Sequence, residues 1–137
     1  MGLKNRKLIS LKEIEGVMSP HDRFIKGELE RRKEALEYID DVSKLAQYIG
    51  GKVEKLGLGE DWAIKKEFFP GVEILFIYNH ADEEFPSSLR VLYSGEKIRN
   101  LPGEDLVELT LVLVNHILRY VREVNPGKKL PEICYRV

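Results

Sequence analysis

The first half of the chain carries apolar residues at helical spacing. From "SPHD" at 19–22 to "GG" at 50–51, an apolar side chain recurs every three or four positions. Ser19 is a suitable N-cap, Pro20 suits the first helical position, and Gly50 can adopt the left-handed conformation that ends a helix. The pattern therefore predicts one long helix over about residues 20–49, with the stripe Ile25, Leu29, Leu36, Ile39, Val42, Ala46 and Ile49.

A shorter helix is predicted before it. The segment "SLKE" at 10–13 has the spacing of a capping box, in which Ser10 and Glu13 bond to each other's main-chain N–H groups. A helix over about 11–18 would follow, and its apolar residues would be Leu11, Ile14, Val17 and Met18.

From Trp62 onward the period of the hydrophobic pattern changes from helical to alternating. Three runs, 62–69, 72–78 and 88–94, place apolar residues at every second position, as expected for strands. The middle run, "VEILFIY", is apolar on both faces and is predicted to be central in the sheet. The connections are short, and short connections favour antiparallel pairing because parallel strands require a long crossover.

The last large element, over about 104–124, is predicted to be a helix. Glu104 and Asp105 suit the positive N-terminal end of a helix dipole, and Arg119 and Arg122 suit its C-terminal end. The element has two apolar stripes. One stripe consists of Leu106, Leu109, Leu113, Ile117, Tyr120 and Val124, and the other of Val107, Leu111, Val114, Leu118 and Val121.

These elements predict a single α+β domain over residues 1–137. An antiparallel sheet of three to four strands would carry long helices on one face in two layers, in the order α-α-β-β-β-α. The segment "LPEICYRV" at 130–137 could be an edge strand or a tail. Because a helix on one sheet needs only one apolar stripe, the other must meet the long N-terminal helix or a second copy of the chain, and we expect the second copy and therefore a homodimer.

The composition excludes several classes of protein. Cys134 is the only cysteine among the 137 residues, so neither an internal disulfide nor a cysteine-based metal site can form in one chain, and a cytoplasmic location is expected. No apolar run approaches the roughly 20 residues of a membrane span. The net charge of −1 makes nucleic acid an unexpected partner.

No motif indicates a cofactor or metal site. The histidines at 21, 80 and 116 lack the i, i+4 spacing of helical metal ligands, and the glycines at 50–59 match no phosphate-binding loop. We therefore expect no cofactor and no tight divalent-metal site.

The loop "YNHADEEFPSS" at 78–88 holds the strongest candidates for chemistry. His80 and Asp82 follow the central strand, and Glu104 would join them if that end of the sheet met the start of the last helix. Such a cluster could bind Mg²⁺ or raise the pKa of one acid. The simpler interpretation is a polar connection between strands, in which Phe85 turns inward and Pro86 stiffens the return.

The segment "DEEFPSSLRVLYSGEKIRNLPGEDLVEL" at 82–109 resembles an uncharacterised prokaryotic family, a domain of unknown function. In that family an apolar strand ends in an Asp-x-x-Phe-Pro turn, here Asp82, Phe85 and Pro86. A Leu-Pro-x-Glu-Asp-Leu segment then opens a helix, here at residues 101–106. The resemblance implies a prokaryotic source and favours an archaeal one. It implies no activity and no functional residues, and the cysteine clusters of some members are lacking here.

Two functions are consistent with these features. The first is a non-catalytic cytosolic interaction or scaffold domain with a protein partner, assembled as a homo-oligomer. The second is a small enzyme or small-molecule-binding protein with a pocket between sheet and helices, using His80, Asp82 and Glu104. A flat apolar surface would favour the first, and a deep pocket with convergent polar groups would favour the second.

Overall fold

The computed structural model describes residues 7–137 and confirms the α+β class. Its helices are α1 (Leu11–Glu15), α2 (Pro20–Glu30), α3 (Val42–Ile49) and α4 (Gly103–Val124), with 3₁₀ segments at Lys33–Tyr38, Ile98–Asn100 and Glu132–Tyr135. Its strands are β1 (Lys52–Glu54), β2 (Trp62–Phe69), β3 (Val72–Asn79) and β4 (Ser88–Ser94). The four strands form one antiparallel sheet in chain order.

The register of the sheet places its large side chains in rows on the face that meets the helices. Trp62 lies opposite Tyr78, which lies opposite Leu89 on the next strand. The neighbouring row contains Ile64 and Phe76, both fully buried. Because opposed residues in an antiparallel sheet share a face, these rows form a continuous apolar surface for the helices.

Helix α4 buries most of both of its stripes inside the chain, although Val124 at its end is 47% exposed. The first stripe contributes Leu106 and Ile117 to the core, and the second contributes Val114, Leu118 and Val121, all fully buried. The sheet and the neighbouring helical segments therefore cover the stripe that we expected a second copy to cover. That stripe no longer argues for a homodimer, and the oligomeric state stays a prediction.

The prediction of one helix over 20–49 is wrong. Helix α2 ends at Glu30, a 3₁₀ segment occupies Lys33–Tyr38, and the backbone is extended at Ile39 before α3 begins. Two side chains explain the breaks. The Arg32 guanidinium donates to the main-chain oxygen of Glu28 at 2.9 Å, which satisfies a carbonyl at the end of α2. Asp41 then accepts from the N–H of Lys44 and caps α3.

The structure also differs from the sequence pattern in the first helix, decides the open question at the C-terminal segment and adds a strand that was not predicted. The first helix ends at Glu15, so Val17 and Met18 are exposed. The C-terminal segment forms a 3₁₀ helix at Glu132–Tyr135 and no edge strand. The fourth strand of the sheet is instead β1, three residues that pair with β2 and whose short pattern gave no signal. The caps at Ser10 and Ser19 and the left-handed Gly50 are confirmed.

Candidate functional site

A groove runs between α2 and the outer edge of β4. It has a volume of about 370 Å³, which lies at the small end of the range of ligand pockets. Its lining is mostly apolar and comes from α1, α2 and β4, chiefly Leu11, Ile25, Leu29, Leu89 and Val91. The strand side of this groove is the free edge of the sheet, because β4 is the last strand in the strand order.

The main chain of β4 directs toward this groove hydrogen-bonding groups that have no partner among the described residues. Ile9 pairs with Tyr93 on this edge, donating to the Tyr93 oxygen at 2.8 Å and accepting from the Tyr93 N–H at 2.7 Å. Main-chain groups of a strand alternate in direction, so Leu89 and Val91 point to the same side as Tyr93. Within residues 7–137, nothing hydrogen-bonds to the main chain of Leu89 or Val91 on that side.

Leu89 and Val91 lack a pairing partner within residues 7–137 because the chain turns away from β4 at Ser10. Continuing the pairing of Ile9 with Tyr93 would set Leu11 opposite Val91. However, Ser10 and Glu13 form the capping box, with N–H to oxygen distances of 3.0 and 3.2 Å, and the chain enters α1 instead. The side chain of Leu11 packs into the floor of the groove while its main chain leaves the sheet edge uncovered.

The charges on the rim of the groove do not cancel completely. On the helix side, Asp22 pairs with Lys26 at 3.0 Å, and Glu30 pairs with Lys33 at 2.7 Å. On the strand side, Arg90 is exposed, and it makes no ion pair with any other residue in 7–137. Among the residues that the structure describes, Arg90 therefore leaves an uncompensated positive charge beside the unpaired main chain of Leu89 and Val91.

The predicted site residues His80, Asp82 and Glu104 are not brought together. His80 Nδ1 lies 2.8 Å from Glu37 Oε1, in the 3₁₀ segment that precedes α3. Glu104 is at the start of α4, and Asn125, just past its end, donates to the carbonyl oxygen of Tyr38, next to Glu37. The 22 residues of α4 span about 33 Å, so Glu104 lies at the far end from His80. Their catalytic role stays a prediction.

Asp82 has a local structural role in its loop. Its carboxylate accepts from the N–H groups of Glu84 at 2.8 Å and Phe85 at 2.7 Å, which forms a turn. The expectation that Phe85 turns inward is wrong, because 67% of its surface is exposed. The turn uses the main chain of Phe85 and leaves the ring in solvent.

Glu37 fixes this loop to the helical layer, a contact that the sequence did not suggest. Its second oxygen accepts from the Ala81 N–H at 3.0 Å, and Asp61 accepts from the His80 N–H at 2.6 Å. Glu37 also lines a cleft of about 430 Å³ together with Ser87. Burial raises the pKa of the nearby Tyr78 hydroxyl, and the Glu37 carboxylate raises it further.

We expect the protein to lose stability in acid between about pH 5 and pH 3. Burial opposes ionisation of Glu37, but the bonds from Ala81 and His80 outweigh it and lower its pKa. The hydroxyl of Ser19 and then His21 lower the pKa of Glu15 despite partial burial. A carboxyl whose pKa is lower in the folded state stabilises the fold above its unfolded pKa of about 4.3 and ceases to do so as pH falls.

Urea unfolding midpoints at pH 7, 5 and 3 measure this loss. The variant Glu37→Gln should show a shallower decline than wild type, because its side chain cannot ionise. The exposed carboxyl of Glu83 offers a matched control, since the structure gives it no hydrogen bond or ion pair within residues 7–137. A decline in Glu37→Gln as steep as that of wild type and Glu83→Gln would contradict the assignment.

The remaining candidate residues have structural surroundings. His116 packs its ring on Tyr48 at 4.7 Å between centroids, and burial lowers its pKa. Cys134 is fully buried, and burial raises the pKa of its thiol. Within residues 7–137 no group of three or more histidine, cysteine or acidic side chains is placed to hold a metal ion. None of the helices in this range has the length and apolarity to span a bilayer.

A larger cleft of about 670 Å³ lies at the end of the sheet far from Glu37, beside the turn between β2 and β3. Its lining mixes Lys7 and Arg99 with Glu67 and Glu96. The turn between β2 and β3 approaches Gly95 so closely that a Cβ there would lie 2.2 Å from the Gly71 oxygen. The wall of the cleft therefore carries charges of both signs.

Comparison with known proteins identifies a family and no close relative of known activity. No curated protein and no solved structure matches the chain. One family model, described as "Domain of unknown function (DUF3786)", matches residues 3–116. This range contains the groove, the Glu37 contact and the segment 82–109 on which the resemblance rested. Because the match covers most of the 137 residues, the chain belongs to the family of domains of unknown function DUF3786.

Proposed function

We propose that the protein is a non-catalytic, cytoplasmic interaction domain and that the groove between α2 and β4 binds a segment of another protein. The proposal rests on two main-chain positions, Leu89 and Val91, which lie at the wall of an apolar groove and have no hydrogen-bond partner on that side within residues 7–137. An exposed strand edge is a template for pairing with another chain. The apolar residues around it would supply the hydrophobic part of such an interface.

The proposal is independent of the predicted homodimer. The buried second stripe of α4 does not need a partner subunit. A homo-oligomer would have to use another surface or this groove itself.

A second candidate function uses the cleft beside Glu37. Glu37 and Ser87 line this cleft and supply polar groups in its wall. A few polar groups of this kind can orient a small molecule. A small-molecule binder would show ligand-dependent melting that is lost in Glu37→Gln and unchanged by substitutions in the groove.

The groove is tested by selection from a random peptide library displayed on phage. We expect peptides that bind wild type and lose at least about tenfold in affinity for Val91→Lys, since the substitution places a charge in the apolar groove. Val112→Lys is the matched control, because Val112 is 58% exposed on α4 and does not line the groove. Selected peptides that bind both variants equally would refute the groove as the binding surface.

A further inference from the structure

The chemistry of the groove identifies its occupant more closely, an inference that rests on the proposed function. We propose that the groove takes an extended peptide that pairs antiparallel with Leu89–Val91 and carries an acidic residue between two apolar ones. The peptide would add a fifth strand to the sheet beside β4, in line with the Ile9 pairing to Tyr93.

The hydrogen-bonding pattern defines which peptide residues face β4. Ile9 and Tyr93 exchange two main-chain hydrogen bonds, so positions opposite Val91 and Leu89 would each exchange two more. The residue between them would lie opposite Arg90 and direct its main-chain groups away from β4. Four main-chain groups of the protein are thereby satisfied by a peptide of three residues.

The side chains of that peptide follow the two faces of the sheet. Residues opposite Leu89 and Val91 share their face, as Ile9 does with Tyr93, and would enter the apolar groove between Leu11 and Leu29. The middle residue would lie on the other face, directly opposite Arg90. Opposite charges across a strand pair attract, so an acidic side chain fits that position.

The positive charge of Arg90 argues against a second copy of the chain as the occupant of the groove. A two-fold axis at Arg90 would pair β4 with its copy and set Arg90 opposite itself. Like charges directly opposite destabilise a strand pair. Shifting the axis to Val91 would bring Leu89 opposite Tyr93, whose outward groups are already bonded to Ile9.

The test uses the blocked peptide acetyl-Thr-Thr-Val-Glu-Val-Thr-Thr-amide and the isotope-labelled full chain. We expect amide resonances of Leu89 and Val91 to shift on titration, with cross-peaks that show an antiparallel strand. Exchanging Glu for Lys in the peptide should weaken binding about fivefold. The protein variant Arg90→Glu should reverse that preference, which a loss of folding would not do.

Main-chain methylation of the peptide separates strand pairing from other binding modes. A methyl group on the nitrogen of either Val removes a bond to β4 and should cost more than about tenfold in affinity. Methylation of the Glu nitrogen should cost much less, because that N–H points away from β4. Equal losses at Val and Glu, or an unchanged preference with Arg90→Glu, would overturn the proposal.

Two further results would each overturn the inference of an extended acidic peptide. If library peptides depend on the groove but bind as helices or lack the apolar–acidic–apolar pattern, the extended-strand inference is overturned and the proposed function stands.

Val91→Pro removes the outward N–H without breaking a bond to β3, so it leaves the sheet intact. If the protein alone dimerises in sedimentation equilibrium and Val91→Pro abolishes the dimer, a second copy occupies the edge and the inference fails.

Discussion

Replacing Leu118 by alanine should lower the free energy of unfolding by about 3 kcal/mol or more, whatever the protein concentration. Leu118 lies in the second apolar stripe of α4 and is fully buried within the chain. Truncation of a buried leucine removes its transfer free energy and leaves a cavity, which together cost about 2–5 kcal/mol. Because the side chain is covered without a second subunit, the cost of the substitution should not depend on protein concentration.

Val112 provides the control on the same helix. It is 58% exposed, so Val112→Ala should change the free energy of unfolding by less than about 1 kcal/mol. Urea unfolding over a hundredfold range of protein concentration measures both effects. A cost below about 1 kcal/mol for Leu118→Ala would mean that the stripe is not packed. A cost of Leu118→Ala that rises with protein concentration would mean that a second subunit covers this stripe.

Signals carried by a few adjacent residues predicted the local structure well. The capping box at Ser10, the cap at Ser19 and the left-handed Gly50 are all as expected, because each depends on side chains within three or four positions. The three long strands were also predicted, since alternation over seven or eight residues is a strong signal. The two-residue connection between β2 and β3 predicted their antiparallel pairing correctly.

The break in the predicted long helix depended on contacts that periodicity cannot show. Ile39 keeps its place in the apolar stripe and is buried although its backbone is extended. A buried position at the right spacing is therefore compatible with a helix or with a short irregular connection. Asp41 was the overlooked signal, because an aspartate before "VSK" is a favourable N-cap.

The candidate site could not be predicted for a related reason. Glu37 and His80 are 43 positions apart in the sequence, and only the fold brings them together. The groove depends on which strand ends the sheet and on the departure of the chain at Ser10. The sequence showed the capping box, but it did not show that the box would leave the edge of β4 unpaired.

Arg32 is buried although it lies in a strongly charged segment, "RRK" at 31–33, next to Glu30 and Glu34. Only 7% of its side chain is exposed. Its Nε donates to Asn115 of α4 at 3.0 Å, and its Nη1 donates to the Glu28 carboxylate at 2.8 Å and to the Glu28 carbonyl. Arg32 thus connects the end of α2 to the middle of α4.

We expect Arg32→Ala to lower the free energy of unfolding by about 3 kcal/mol. Removing one member of a buried charged pair costs about 3–5 kcal/mol, because its former partners stay desolvated without a bond. Glu28 keeps a contact with Arg31 at 3.1 Å, so the lower end of that range applies. Arg32→Lys should recover only part of the loss, since a single ammonium group cannot reproduce the three directed hydrogen bonds of the guanidinium.

Arg31 supplies the matched control, because it contacts the same carboxylate from a side chain that is 56% exposed. An exposed ion pair contributes about 0–1 kcal/mol, so Arg31→Ala should have a small effect. Urea unfolding of the three variants at pH 7, in low and high salt, measures the difference. Added salt should reduce the contribution of Arg31 and leave that of Arg32 nearly unchanged, since buried pairs are screened much less. Equal costs for Arg31→Ala and Arg32→Ala would show that Arg32 does not anchor α2 to α4.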